Sequence, residues 1–186
     1  MMFSRKPAKP HAALDEPALY DYAVKALGRR MRTEMELRRL LTPKAEPGEH
    51  GQAAIKAVIA RLKEQKYLSD AAFAETFTRL RQENDKLGQR RVRQKLAAHG
   101  VPSRVAQKAI EDRYAGADEE TLARQHLERK RIGKPTSEKE TARVVRRLAS
   151  AGFSTGIIYK ILRKWDVPDE ALSAVESIED EASNEN

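Results

Sequence analysis

The chain has 186 residues, of which 40% are hydrophobic, 5% aromatic and 34% charged; this excludes one deep aromatic core and points to a surface-rich helical protein. No window approaches the roughly 20 apolar residues of a membrane span. The absence of cysteine excludes disulfides, thiolate zinc sites and a cysteine nucleophile, and fits a cytoplasmic location. The net charge is +8, but residues 169–186 hold seven acidic side chains and no Lys or Arg, so the first 168 residues carry +15. An excess of that size points to a polyanionic partner, nucleic acid or a protein–nucleic acid filament.

Residues 1–16 are rich in Pro, Ala and Lys, lack apolar periodicity and read as a mobile N-terminal arm. They also lack the apolar run of a signal peptide. From Pro17, Leu19, Ala23, Leu27 and Met31 recur at four-residue spacing, which predicts a helix. Thr33 and Glu36 have the spacing of a capping box at the start of a second helix bearing Leu37, Leu40 and Leu41. Residues 42–51 carry two prolines and two glycines and predict a loop. A third helix follows with Ile55, Val58, Ile59 and Leu62 on one face, ending near Tyr67 and Leu68. Ser69 then caps a new helix, and Leu68 and Phe73 stand at the spacing of a hydrophobic staple.

That fourth helix carries Phe73, Phe77 and Leu80. A strongly basic segment follows, scaffolded by Leu87, Val92 and Leu96 and stopped by Gly100, and a sixth helix shows Val105, Ala106, Ala109 and Ile110. The plan recurs with Leu122, His126 or Leu127, and Ile132, broken at Pro135. It continues with Ser137 and Glu140 as a second capping box, then Val144, Val145 and Leu148, a stop at Gly152, and Ile157, Ile158, Ile161 and Leu162. Leu41, Leu96 and Leu148 lie at matching places, offset by 55 and then 52 residues. Val92/Val144, Gly100/Gly152, Ala106/Ile158 and Ile110/Leu162 share the offset of 52. Self-similarity at a fixed period signals stacked supersecondary units. The expected fold is all-α: three tandem three-helix repeats at residues 17–68, 69–116 and 117–168, followed by the acidic tail 169–186.

Catalytic chemistry finds no footing. His11, His50, His99 and His126 are scattered through the chain without helix-spaced partners, as ordinary surface histidines are, so no metal is expected. No G-x-x-x-x-G-K-[ST] loop is present to cradle a nucleotide, and no cofactor is expected. Gly152 to Gly156 match G-x-S-x-G in letters, but that motif needs a strand-to-helix turn. Here a predicted helix precedes it, so the five residues read as a helix stop followed by a helix cap.

The basic residues recur at one place in each repeat, the end of the first helix and along the second. They are Arg29, Arg30, Arg32, Arg38 and Arg39 in the first repeat and Arg79, Arg81, Lys86, Arg90, Arg91, Arg93 and Lys95 in the second. In the third they are Arg124, Arg129, Lys130, Arg131, Lys134, Lys139, Arg143, Arg146 and Arg147. Arginine predominates, as suits bidentate contact with phosphate or carboxylate. A merely solvated face would mix both signs, whereas this recurrence predicts a continuous binding stripe.

With these residues in place, the chain resembles the bacterial RecX family over roughly residues 18–165. The resemblance rests on Ala18-Leu19 through Arg29-Arg30-Met31-Arg32-Thr33 with Glu36-Leu37, then Tyr67-Leu68-Ser69-Asp70 with Phe73-Ala74. Arg81, Leu87-Gly88, Arg91, Lys95-Leu96 and Gly100-Val101 follow, and Arg146-Arg147-Leu148, Gly152-Phe153 and Ile157 complete it. The chain departs from the family in the longer Pro43–Gly51 connection and in Ser69, where the family commonly has an acidic or amide residue. The resemblance implies an elongated, curved, non-enzymatic regulator, expected to be a monomer, that lies on the RecA–DNA filament. It would damp filament growth, ATP hydrolysis, strand exchange and the co-protease role in the SOS response. DNA contact, single- or double-stranded, is expected to be weak and salt-sensitive, and no membrane partner is expected. The competing reading is a helix-turn-helix DNA-binding regulator with no recombinase partner.

Overall fold

The computed structural model describes residues 13–167. Of the expected N-terminal arm at residues 1–16, residues 1–12 fall outside the described residues, as does the acidic tail at 169–186. The described chain is all-α: α1 (Glu16–Arg29), α2 (Glu34–Leu41), α3 (Glu49–Glu64), α4 (Asp70–Glu83), α5 (Gln89–Ala98), α6 (Ser103–Tyr114), α7 (Glu119–Arg129), α8 (Glu138–Ser150) and α9 (Thr155–Lys164). Two compact bodies divide at Phe73/Ala74, within α4.

In the N-terminal body, α1, α2 and α3 enclose a core of Leu19, Ala23, Leu37, Leu41, Ile55, Val58, Ile59, Leu62 and Leu68. Asp15 caps α1 by accepting from the Ala18 amide at 3.0 Å. Just before it, Leu14 donates its amide to the Lys44 carbonyl at 2.8 Å and forms an isolated parallel bridge with Ala45. The helix ends at Arg29, so Met31 lies beyond it and is 46% exposed rather than continuing the apolar face. Arg30, the C-terminal cap, takes an extended conformation that turns the chain out of the helix first.

Thr33 behaves as the predicted cap, its Oγ1 accepting from the Glu36 amide at 3.1 Å. The free amide of Glu34 is taken by Asp70 Oδ1 at 2.8 Å, which ties the start of α2 to the start of α4. The predicted loop is shorter than 42–51, because α3 starts at Glu49 after the Gly48 cap. Gly51 is buried in the first turn of α3, where a Cβ would lie 1.8 Å from the Glu46 carbonyl oxygen. The return of the loop onto the helix therefore needs that glycine. Ser69 caps α4, accepting from the Ala72 amide at 3.2 Å, and Leu68 and Phe73 are both buried.

In the C-terminal body, Val92, Leu96, Ala106, Ile110, Val144, Leu148, Ile158 and Leu162 are all buried, so every apolar pair matched at the offset of 52 faces a core. The matched Gly100 and Gly152 both have positive φ, +76° and +90°. Each follows a basic helix and closes a Schellman-type end: Val101 donates to the Leu96 carbonyl at 3.0 Å and Phe153 to the Leu148 carbonyl at 3.2 Å. The second capping box is modified. Ser137 Oγ accepts from the Glu140 amide at 3.3 Å, while the Glu140 carboxylate turns to the amide and hydroxyl of Thr136 at 2.7 and 2.9 Å.

α5 meets the α8–α9 turn with no room for a side chain. The Gly88 amide donates to the Ala151 carbonyl at 2.9 Å. A Cβ on Gly88 would lie 2.4 Å from the Gly152 oxygen, and one on Gly152 would lie 2.2 Å from the Arg91 nitrogen. Tyr114, buried on α6, donates its hydroxyl to the Leu87 carbonyl at 2.5 Å and so fixes the residue before that contact.

A buried carboxylate joins α7 to α9. Glu120 is 7% exposed and accepts from Lys164 at 2.6 Å, with Arg124 at 3.1 Å and Lys160 at 3.3 Å. Lys164 foremost, with Arg124 and Lys160, holds its pKa down at about 2 against the upward push of burial. A depressed carboxylate contributes stability that is complete above its ordinary pKa and is lost as pH falls through the folded value. The unfolding midpoint of the full chain should therefore decline between about pH 4.5 and pH 2 more steeply than that of Glu120→Gln, which should already be less stable at neutral pH. Parallel acid limbs for the two proteins in thermal melts would refute the assignment.

A candidate anion-binding cleft

The predicted basic positions separate into three structural groups. Some are engaged by a carboxylate nearby in sequence: Arg38 with Glu34 at 3.2 Å and Arg79 with Glu83 at 3.2 Å within their own helices, and Arg81 with Asp85, just past the end of α4, at 2.7 Å. The Arg81 guanidinium also lies 4.7 Å from the Phe77 ring centre. Arg32 is half-buried, and its Nε is buried without a hydrogen-bond partner.

A second group is exposed. Arg29 and Arg30 end α1, Arg39 lies on α2, Arg90 and Arg93 on α5, and Arg143 and Arg146 on α8. Arg129 and Arg131 are exposed around the end of α7, and Lys86 is half-buried in the α4–α5 turn. Arg131 and Lys86 take positive φ, 55° and 51°.

The third group converges. Arg91 and Lys95 from α5, Lys130 from the end of α7 and Arg147 from α8 line a single cleft of about 290 Å³ in the C-terminal body. Asp85, Leu87, His126, Ser150 and Ala151 complete it. Two of the four cations come from the predicted second repeat and two from the third. They meet because α5 abuts the α8–α9 turn at Gly88 and Gly152. Arg91 and Lys95 are one helical turn apart and half-buried, while Lys130 and Arg147 are exposed. Arg91 Nη1 donates to Gln94 Oε1, which holds the guanidinium against its own helix. The one carboxylate of the cleft, Asp85, is already held by Arg81.

His126 corrects the sequence reading, which took it for a surface histidine. It is 3% exposed, its Nδ1 donates to the Asp85 carbonyl at 3.1 Å, and its ring packs edge-on to Phe153 with centres 6.1 Å apart. Its Nε2 is buried and has no hydrogen-bond partner. Burial foremost, then the positive charges of Lys130 and Arg147, hold its pKa below the ordinary value. The signal was present in the sequence, since His126 stands in the apolar register of α7. The roles of Asp85 and Glu120 were only partly legible: their i,i+4 partners Arg81 and Arg124 are local, but His126 at the Asp85 carbonyl and Lys160 and Lys164 at Glu120 come from other elements.

Gly152 to Gly156 read as expected in part: Gly152 ends the α8 segment with positive φ, and Ser154 occupies the cap position of α9 without a side-chain capping bond. Among the described residues, no group of three or more His, Asp and Glu is arranged to hold a metal. No described helix is long and apolar enough to cross a membrane.

A family model described as "RecX, second three-helix domain" matches residues 69–110, which cover α4, α5 and most of α6. Regulatory protein RecX of Cronobacter sakazakii is 35% identical over 156 residues, spanning 80% of this chain and 92% of that protein. Regulatory protein RecX of Oceanobacillus iheyensis is 28% identical over 155 residues, and the match spans 81% of this chain but 54% of that longer protein. A crystal structure of RecX from Lactobacillus salivarius superposes with a TM-score of 0.65 at 21% identity, covering 82% of this chain and 97% of that one. Shared fold, matched domain and identity across nearly the whole length of a relative lead to one conclusion: the chain belongs to the RecX family of regulatory proteins.

Proposed function

We propose that this chain binds the RecA–DNA filament and negatively modulates the recombinase, restraining filament growth, ATP hydrolysis, strand exchange and the co-protease function in DNA repair and the SOS response. Family membership is the observation that carries this reading. The basic surface gives it a physical basis: exposed arginines on α5 and α8 and four cations around one cleft suit a polyanionic or acidic partner. Each exposed charge pair contributes only about 0–1 kcal/mol, so binding draws on many contacts at once and weakens with salt. The proposal extends to regulation by binding in the cytoplasm, without chemistry of its own.

The test is single-strand-dependent ATP hydrolysis by the recombinase, measured with and without this protein at several salt concentrations. Inhibition at substoichiometric to equimolar protein, relieved by salt, is the expected result. Undiminished hydrolysis at equimolar protein would reject the reading. Sequence-selective duplex binding in a parallel titration would favour a helix-turn-helix regulator instead.

A further inference from the structure

The cleft of the C-terminal body has features that a solvated basic face does not need. Four cations from α5, α7 and α8 line it, and its only carboxylate already has an arginine partner. Beneath them lies a buried histidine whose second ring nitrogen lacks a hydrogen-bond partner. An unpaired buried polar atom is unfavourable unless a ligand completes it.

We propose that this cleft seats a phosphodiester of a nucleic-acid backbone, held by Arg91, Lys95, Lys130 and Arg147, with His126 completing the site when protonated. This deepens the filament reading and rests on it only for the setting in which the nucleic acid is met.

A phosphate backbone fits better than a lone protein carboxylate on charge, and the cleft's other features suit it. The local excess of positive charge is larger than a single carboxylate can balance, whereas a backbone presents successive anionic groups. Two of the four cations are guanidinium forks, which bind phosphate or carboxylate bidentately, and two are ammonium point charges. At about 290 Å³ the cleft is also at or below the small end of pockets that enclose a drug-sized ligand, so it takes a segment of polymer. No Phe, Tyr or Trp lines it, so it offers no stacking platform for a base. Recognition there is therefore indifferent to sequence.

The protonation link follows from the neighbours of His126. Lys130 and Arg147 oppose its charge, the Asp85 carbonyl supports it, and the Asp85 carboxylate is engaged by Arg81. Arg91 and Lys95 add further positive charge from α5. An anion among these cations offsets their repulsion and favours the imidazolium. Bound phosphate should therefore raise the His126 titration midpoint, and binding should tighten as pH falls through it.

The test uses the full chain and a labelled oligothymidylate. Anisotropy titrations should give about a tenfold weaker affinity for Lys130→Gln/Arg147→Gln than for the parent. The slope of log affinity against log salt should fall by about 1.4 for two lost contacts to a single strand. Arg104→Gln, an exposed change outside the cleft, should leave both unchanged. NMR titration of the His126 ring should show its midpoint moving up with inorganic phosphate and with the oligonucleotide. Unchanged affinity and slope in the double variant, or an unmoved His126 midpoint, would overturn the proposal. So would a polyglutamate peptide that binds the parent more tightly than the oligonucleotide and loses that binding in the double variant, since the cleft would then be a seat for acidic protein. These readouts contain no recombinase, so an inactive inhibitor with an intact phosphate response rejects only the filament reading.

Discussion

Gly152→Ala should destabilise the C-terminal body by about 3 kcal/mol, near the top of the common range for single substitutions. Two costs combine. At φ +90° an L side chain is strained. The added Cβ would also lie 2.2, 2.6 and 2.9 Å from the nitrogen, Cβ and Cα of Arg91. These are backbone or near-backbone atoms that no rotamer change can withdraw, so α5 would have to move. Gly88→Ala separates the two costs. Gly88 has φ −74°, which any residue adopts, yet its Cβ would lie 2.4 Å from the Gly152 oxygen. It should therefore be milder than Gly152→Ala by about 1–2 kcal/mol, the left-handed part of the strain. Chemical unfolding of the three proteins measures both, and a Gly152→Ala variant within about 0.5 kcal/mol of the parent would show that the turn has slack. Because this contact brings Arg91 toward Arg147, both variants should also weaken oligonucleotide binding.

The second large effect is expected from Arg90→Glu/Arg91→Glu/Arg93→Glu, which should weaken inhibition of the recombinase by up to about 100-fold, three contacts at up to roughly 1 kcal/mol each. Stability should hardly change. Arg90 and Arg93 are exposed, Arg91 is half-buried at the cleft, and glutamate keeps the Cβ that packs against Gly152. The substitution even suits the helix: α5 begins with no acidic residue in its first turn and places Arg90 and Arg91 there, against the helix dipole. A sequence that departs from local preference at one helix start is most simply serving a surface role. Circular dichroism should report an intact helical fold, and the hydrolysis assay should report the loss of inhibition. Retained inhibition with an intact fold would remove α5 from the binding surface.

Much of the fold was legible because helical periodicity and stop signals are local. Leu37, Ile55, Val92, Leu148 and Leu162 are buried where their spacing placed them, and Gly100 and Gly152 end their helices in the conformation glycine alone adopts freely. The failures were also local in cause. Met31 extended an apolar spacing past the end of α1, since periodicity does not mark where a chain turns. The loop at 42–51 proved shorter because Gly48 starts a helix and Gly51 is buried within it.

The sequence by itself determined an all-helical RecX-family chain with a matched apolar scaffold and a strongly basic surface, since charge, period and capping chemistry are properties of neighbouring residues. Only the tertiary structure decided which basic residues act together. Arg38, Arg79 and Arg81 are occupied by carboxylates one turn along their own helices or just beyond, while Arg91, Lys95, Lys130 and Arg147 meet around the buried His126. That meeting depends on a glycine contact between residues 88 and 152, far apart in the chain, where only the absence of two side chains lets α5 reach the α8–α9 turn.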